Sequence, residues 1–275
     1  MTAHSADAMT TIVLSDATLK RGNRILFENL NLKIDAGEFI AVLGSNGAGK
    51  TSLLKVLMGL LALNGGTAQV LNEAVKRGDK NIGYIPQQKG FDIDIPIRGR
   101  DLVAFGVNGF RYGIKRGDKR LTKQIDDVIE AVGCSEYAHM PLGLLSGGEQ
   151  QRLRVAQAIV GTPKVLLCDE PLLSLDMTSQ VVVTGLINDY RRTTGASVVF
   201  VTHEINPILQ FVDKILYLSN GRWVVDKPEV VLQSKILSEL YGSPVEVLRI
   251  NGRVIVLGAE DVSMTAHGGH HNLGA

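Results

Sequence analysis

The stretch FIAVLGSNGAGKTSLLKVLMGLL, residues 39–61, decides how this chain folds. It opens with an unbroken apolar run, the mark of a strand buried on both faces, which passes straight into a glycine-rich turn and then a helical pattern. Within it GSNGAGKT, residues 44–51, fits G-x-x-x-x-G-K-[ST] in the strand-to-helix setting which that pattern requires. Gly44, Gly47 and Gly49 let the backbone curl so that successive N–H groups converge on phosphate oxygens, and the helix start adds about half a positive charge. Lys50 is placed to reach the β- and γ-phosphates of a nucleotide, and the Thr51 hydroxyl to ligate Mg²⁺. Ser45, Asn46, Ala48 and Ser52 complete the candidate cradle.

Outward from this stretch the pattern repeats. NIGYI, VLLCD, SVVFVTH and KILYL are further buried-strand candidates, separated by enough residues for helices, so the order predicts an α/β fold with a mainly parallel sheet flanked by helices. Before the decisive stretch, TIVLSDATL and LNLKI alternate apolar and polar residues, as half-buried antiparallel strands do. Between NIGYIPQ and VLLCD, about residues 90–160, the patterning is helical and no strand is convincing, which predicts a helical insertion off the main sheet. LYLSNGRWVV and VLRINGRVIV each set Asn-Gly between strand-like arms, a hairpin signal. The expected boundaries are one nucleotide-binding domain over residues 11–258 and a flexible tail over 259–275.

Composition excludes several classes. At 275 residues, 45% hydrophobic and 21% charged, the chain reads as globular, and a net charge of +1 offers no global basic footprint for nucleic acid. The apolar runs fall far short of the roughly 18 residues of a membrane span. MTAHSADAMT lacks the features of a secretion signal, so a cytoplasmic protein is expected. Cys134 and Cys168 form neither a disulfide framework nor a metal-site spacing, in keeping with a reducing compartment.

VLLCDE, residues 165–170, ends a buried strand in two carboxylates: Asp169 is placed to hold Mg²⁺ through its water shell, and Glu170, pointing elsewhere, to polarise an attacking water. LLSGGEQQR, residues 144–152, has a glycine pair at a helix start, which exposes N–H groups to an anion as the first stretch does. It is half of a phosphate site with no second half nearby in sequence.

With GSNGAGKT, LSGGE and VLLCDE in this order, the chain resembles the nucleotide-binding subunit of an ABC transporter. The resemblance implies a P-loop NTPase core, an N-terminal antiparallel β subdomain and a helical insertion subdomain. It implies ATP and Mg²⁺ as cofactors, and two ATP molecules held between two copies in a head-to-tail homodimer. Ser146, Gly147 and Gly148 would then face the γ-phosphate bound to the partner's Lys50. Gln87 in GYIPQQ would join the Mg²⁺ and water site to the insertion, with Gln88 as its alternative. Asp176 in SLD would lie at the dimer crossing, and His203 in VFVTHE would contact the γ-phosphate. The family's adenine-stacking aromatic is replaced here by Arg21, whose guanidinium gives about 0.5–1 kcal/mol against roughly 1–3 for a stacked ring.

A chain without membrane helices implies separate integral membrane permease subunits, docked through the insertion, and a place on the inner face of the plasma membrane. KGFDIDIPIRGRDLVAFG, THEINPILQFVDKILYL and ELYGSPVEVLRINGRVIV are similar to the ATPases of bacterial zinc, manganese and iron importers, which also implies an extracytoplasmic substrate-binding protein. Asp92, Asp94 and Arg98 read as solvated charges or permease contacts. His267, His270 and His271 read as part of a mobile tail rather than a metal cage, because ordering such a tail costs about 1–2 kcal/mol per residue. Besides an ABC subunit for a non-metal substrate, two rival readings are a soluble ATPase acting on nucleic acid or ribosomes, and a P-loop kinase. The first usually has two cassettes or a long coiled coil, and the second has no need of LSGGE.

Overall fold

The computed structural model describes residues 9–87, 95–108 and 118–258. Strands β1 (Thr10–Arg21), β2 (Arg24–Asp35) and β3 (Phe39–Gly44) lead into helix α1 (Lys50–Leu57), then β4 (Gly65–Val70), β5 (Glu73–Ala74) and β6 (Ile82–Ile85). Helices α2 (Gly99–Asn108), α3 (Lys119–Ala131) and α4 (Gly147–Ile159) follow, then β7 (Val165–Asp169), α5 (Met177–Thr194), β8 (Ser197–Val201), β9 (Lys214–Ser219) and β10 (Arg222–Asp226). The last described elements are α6 (Pro228–Val231), α7 (Ser234–Tyr241), β11 (Val245–Ile250) and β12 (Arg253–Gly258).

The apolar run of β3 is explained by its place in a six-stranded sheet of order β10-β9-β3-β8-β7-β6, parallel except for the β9–β10 hairpin. Successive side chains on a strand point to opposite faces, so a strand with a core on each side must be apolar throughout. Phe39, Ala41 and Leu43 enter one core, shared with α2, α3, α4 and α5. Ile40 and Val42 enter the other, built from α1 and the antiparallel sheet of order β2-β1-β4-β5. The ends of the parallel strands β3, β7 and β8 thus lie side by side, between helices on one face and the antiparallel sheet on the other.

Both Asn-Gly sites form hairpins. Asn220 and Gly221 have φ of 49° and 81°, and Asn251 and Gly252 have 50° and 77°, the doubly positive pattern of a two-residue turn. One strand pair differs from the sequence reading. β4 and β5 were not foreseen, because GGTAQV carries only two buried apolar residues, Ala68 and Val70, beside two glycines. Gly66, at φ 75°, sits where β1 breaks register between Ser15 and Thr18, and any Cβ there would run into the Asp16 backbone. Gln88, Asp92, Asp94, His267, His270 and His271 lie outside the described residues, as does the whole of 259–275. Arg98 is described and exposed.

Candidate functional site

β3 delivers the chain to Gly44 at φ 142°, with its Cα packed so closely on the Leu218 carbonyl that no Cβ fits. Gly47 and Gly49 follow at 77° and 105°, and α1 starts at Lys50 with no side chain capping its first turn. The free N–H groups of that turn, with the helix dipole, make this end of α1 a place for an anion. Lys50 folds back over the loop, its Nζ donating to the carbonyl oxygens of Gly44 at 2.6 Å and Ser45 at 3.2 Å. Burial pushes the Lys50 ammonium below its ordinary pKa, while Glu170 and then Asp169 pull it back up.

β7 brings in the carboxylates. Asp169 is buried, and its two oxygens accept from Thr51 Oγ1 at 3.0 Å and Tyr84 Oη at 3.3 Å. Burial, helped by the Asp169 charge, pushes the Tyr84 phenol up to about 12, so it remains a donor at neutral pH. Glu170 sits just past the strand end in a left-handed conformation, φ 48°, with its N–H on the Val201 carbonyl at 3.0 Å. That turn swings its side chain away from Asp169's partners, and it is 12% exposed rather than freely solvated. Glu170 Oε2 accepts from Gln87 Nε2 at 3.2 Å and lies 3.1 Å from His203 Nε2.

Several of these residues line one cleft of about 670 Å³. Lys50, Thr51, Gln87, Glu170 and His203 form its inner wall, and the β1–β2 turn forms its rim with Arg21 and Arg24. Asn46, Gly47, Gly49 and Ser52 also face it, whereas Ala48 is buried in the core under the loop and Ser45 lines the neighbouring pocket. The sequence reading missed Arg24, Lys55 and Tyr84. Arg24 is paired with Arg21 across the turn, and its guanidinium lies beside Gly47, 3.3 Å from where a Cβ would stand. Strand register brings Arg24 to the cleft and Tyr84 to Asp169, whereas Lys55 follows Lys50 along α1. Its cations, Arg21, Arg24, Lys50 and Lys55, suit a polyanion.

Ser146, Gly147, Gly148 and Asp176 do not line this cleft. Ser146 caps α4 in a capping box: its N–H and hydroxyl both donate to Glu149 Oε2, at 2.8 and 2.7 Å, while its Oγ accepts from the Glu149 N–H at 3.4 Å. Asp176 caps α5, accepting from the N–H and hydroxyl of Ser179 at 2.9 and 2.7 Å, and the Ser179 bonds hold its carboxyl below the ordinary value. The two caps touch, since a Cβ on Gly148 would lie 2.5 Å from Ser179 Oγ. The structure therefore holds two separate helix starts at these motifs, α1 within the cleft and α4 outside it.

Residues 27–173 match the family model described as ABC transporter. The chain belongs to the ABC transporter family. As an ABC ATP-binding subunit it is an ATPase. It is 31% identical to the zinc import ATP-binding protein ZnuC of Paramagnetospirillum magneticum, over 85% of this chain and 83% of that one. It is 32% identical to the manganese transport system ATP-binding protein MntB of Halalkalibacterium halodurans, over 70% of this chain and 76% of that one. The fold of this ABC subunit also matches a metal-chelate type ABC transporter solved in an inward-facing conformation, with TM-score 0.77 and 24% identity over 91% of this chain and 99% of that one. No helix among the described residues of the ABC subunit is long and apolar enough to cross a membrane.

Proposed function

We propose that this ABC subunit hydrolyses ATP to drive import of a transition metal ion, zinc, manganese or iron, through separate permease subunits in the plasma membrane. The observation that carries this reading is the convergence of Lys50, Thr51, Gln87, Asp169, Glu170 and His203 in a chain whose relatives are named for zinc and manganese transport. The subunit works on the cytoplasmic face, and an extracytoplasmic substrate-binding protein delivers the ion to the permease.

The donor set fits Mg²⁺. Thr51 Oγ1 and Asp169 Oδ1, 3.0 Å apart, are neutral and anionic oxygens beside the phosphate loop, the ligand type a hard cation takes. Thr51 and Asp169 would hold the ion, with Gln87 beside them, and when bound it would offset charge on the β- and γ-phosphates. Tyr84 keeps Asp169 oriented by donating to its other oxygen. The N–H groups at the start of α1 and the Lys50 ammonium bind the phosphates. Glu170 takes the proton of the attacking water as the bond between the γ-phosphorus and its bridging oxygen breaks. Gln87 and His203, both on Glu170 Oε2, orient that carboxylate, and His203 also faces the γ-phosphate.

Ser146 to Gly148, which lie away from this cleft, are read from the family resemblance as serving the nucleotide of a second copy, with Asp176 at the crossing. Closure of such a pair on ATP, and its opening after hydrolysis, moves the permease. The test is reconstitution of the chain with its membrane subunits in vesicles, followed by ATP-dependent uptake of radiolabelled zinc, manganese and iron. Uptake of one of these ions that stops when ATP is withheld supports the reading. ATP hydrolysis without uptake of any of the three, stimulated instead by DNA or ribosomes, overturns it.

A further inference from the structure

The C-terminal hairpin β11–β12 is a sheet of two strands, and a sheet that small has two open edges whose N–H and C=O groups need partners. Part of each edge is taken by side chains. On the β11 side, the N–H groups of Val245 and Val247 donate to Ser238 Oγ and Ser234 Oγ of α7, each at 2.9 Å. On the β12 side, Val254 donates to Asn206 Oδ1 at 2.8 Å and accepts from Asn206 Nδ2 at 2.9 Å. The Asn206 amide stands in for the next strand: it offers one acceptor and one donor on a single planar group, a combination that an ionised Asp or a Leu cannot present.

Asn206 lies three residues after His203, on the same short loop. The loop's other end is fixed as well, since the Thr202 N–H donates to the Val42 carbonyl at 3.2 Å and its Oγ1 accepts from the Glu204 N–H at 3.1 Å. The His203 side chain is 46% exposed, so packing does little to hold it and its place over Glu170 follows from the backbone beneath it. A pocket of about 420 Å³ lies beside the loop, with Gly44 and Ser45 of the phosphate loop on one wall and Val254 and Val256 of β12 on another. The hairpin thus reaches the His203 loop at its polar contact through Asn206, and its inward residues Val245 and Val254 join the core that supports it.

We propose that Asn206 is a positioning residue for the catalytic histidine, and that β11–β12 is the strut it is fastened to. This rests on the role given to His203 above. Loss of the amide leaves the fold intact, frees the loop between Thr202 and Asn206, and lets His203 drift from Glu170.

The experiment compares the full-length chain with Asn206→Ala, Asn206→Asp, His203→Ala and the double variant His203→Ala/Asn206→Ala. Steady-state ATP hydrolysis is measured together with amide hydrogen exchange in the absence of nucleotide. Asn206→Ala and Asn206→Asp are expected to lower kcat on the order of 10- to 100-fold with KM for ATP changed by less than about threefold. The double variant is expected to be no slower than His203→Ala alone, since a residue that acts only through His203 has nothing further to lose. Exchange should quicken at residues 202–206 and 253–256 and stay unchanged in β3 and β7. Wild-type kcat in Asn206→Ala, or losses that multiply in the double variant, would overturn the proposal. If His203→Ala keeps wild-type kcat, it is the catalytic reading of His203 that fails. The strut is then judged on exchange alone, and unchanged exchange at 202–206 rejects it.

Discussion

Helices α1 and α4 both open out of glycine-containing turns, and they differ in what meets their first turn. At α1 the cap is Gly49, which has no side chain, so the N–H groups meet only the loop and the Lys50 ammonium beside them. At α4 the cap is Ser146, whose hydroxyl and backbone are closed onto Glu149. The first end is open and cationic within its own chain. The second is satisfied by its own side chains and stands outside the cleft. On the function proposed above, α1 receives the nucleotide of its own chain and α4, with Ser146 closed on Glu149, meets that of a second copy. That asymmetry is what one expects of a catalytic centre divided between two copies.

The comparison breaks first at the chemistry. Glu170→Gln keeps the shape of the α1 side and removes its base, so turnover should fall about 10²- to 10⁴-fold, while ATP affinity in an equilibrium binding assay stays near wild type. Undiminished turnover would remove Glu170 from the mechanism. Lys50→Ala strikes binding on the same side. It removes a charge-assisted contact of about 1.5–3 kcal/mol, which a titration should read as an ATP dissociation constant raised roughly 10- to 150-fold.

On the α4 side the effects should separate differently. Ser146→Ala should leave ATP binding by a dilute chain unchanged and reduce turnover of the concentrated protein. Independently, the lost cap should lower stability by about 0.5–2 kcal/mol in denaturant unfolding. A weakened ATP dissociation constant in the dilute chain would show that α4 serves its own nucleotide after all. The smallest effect belongs to Asp176. Its folded carboxyl titrates below the ordinary value of 3.8, so its contribution to stability is fully present above that pH and is lost as pH falls through the lower folded value. Melting curves of Asp176→Asn and wild type should therefore differ by a constant amount from pH 5 to 7 and converge only below about pH 3.8.

Much of this was legible in the sequence where one segment carried the signal alone. The run FIAVLG announces a strand between two cores because both of its faces are covered, and the glycines of 44–49 announce the loop because only they fit its left-handed turns. The strand β4 was illegible for the opposite reason: it is glycine-rich, and its pairing with β1 decides its structure more than its own composition does. Arg24 and Tyr84 were hidden because a hairpin register brings the one to the cleft and a parallel strand pairing, Tyr84 beside Leu167, brings the other to Asp169. The closure of Ser146 on Glu149 could have been read from the S-x-x-E spacing as a capping box. The Asn206 clamp could not, since its partner Val254 is 48 residues away and offers only backbone.

The most direct measurement of the divided centre is the rate of ATP hydrolysis against protein concentration, at saturating ATP and Mg²⁺ and down to dilutions at which the chain is a monomer by sedimentation. The account predicts that activity per chain falls toward zero on dilution, and that mixing Ser146→Ala with Lys50→Ala restores part of the activity that each lacks alone. A specific activity that stays constant through the monomeric range would contradict it.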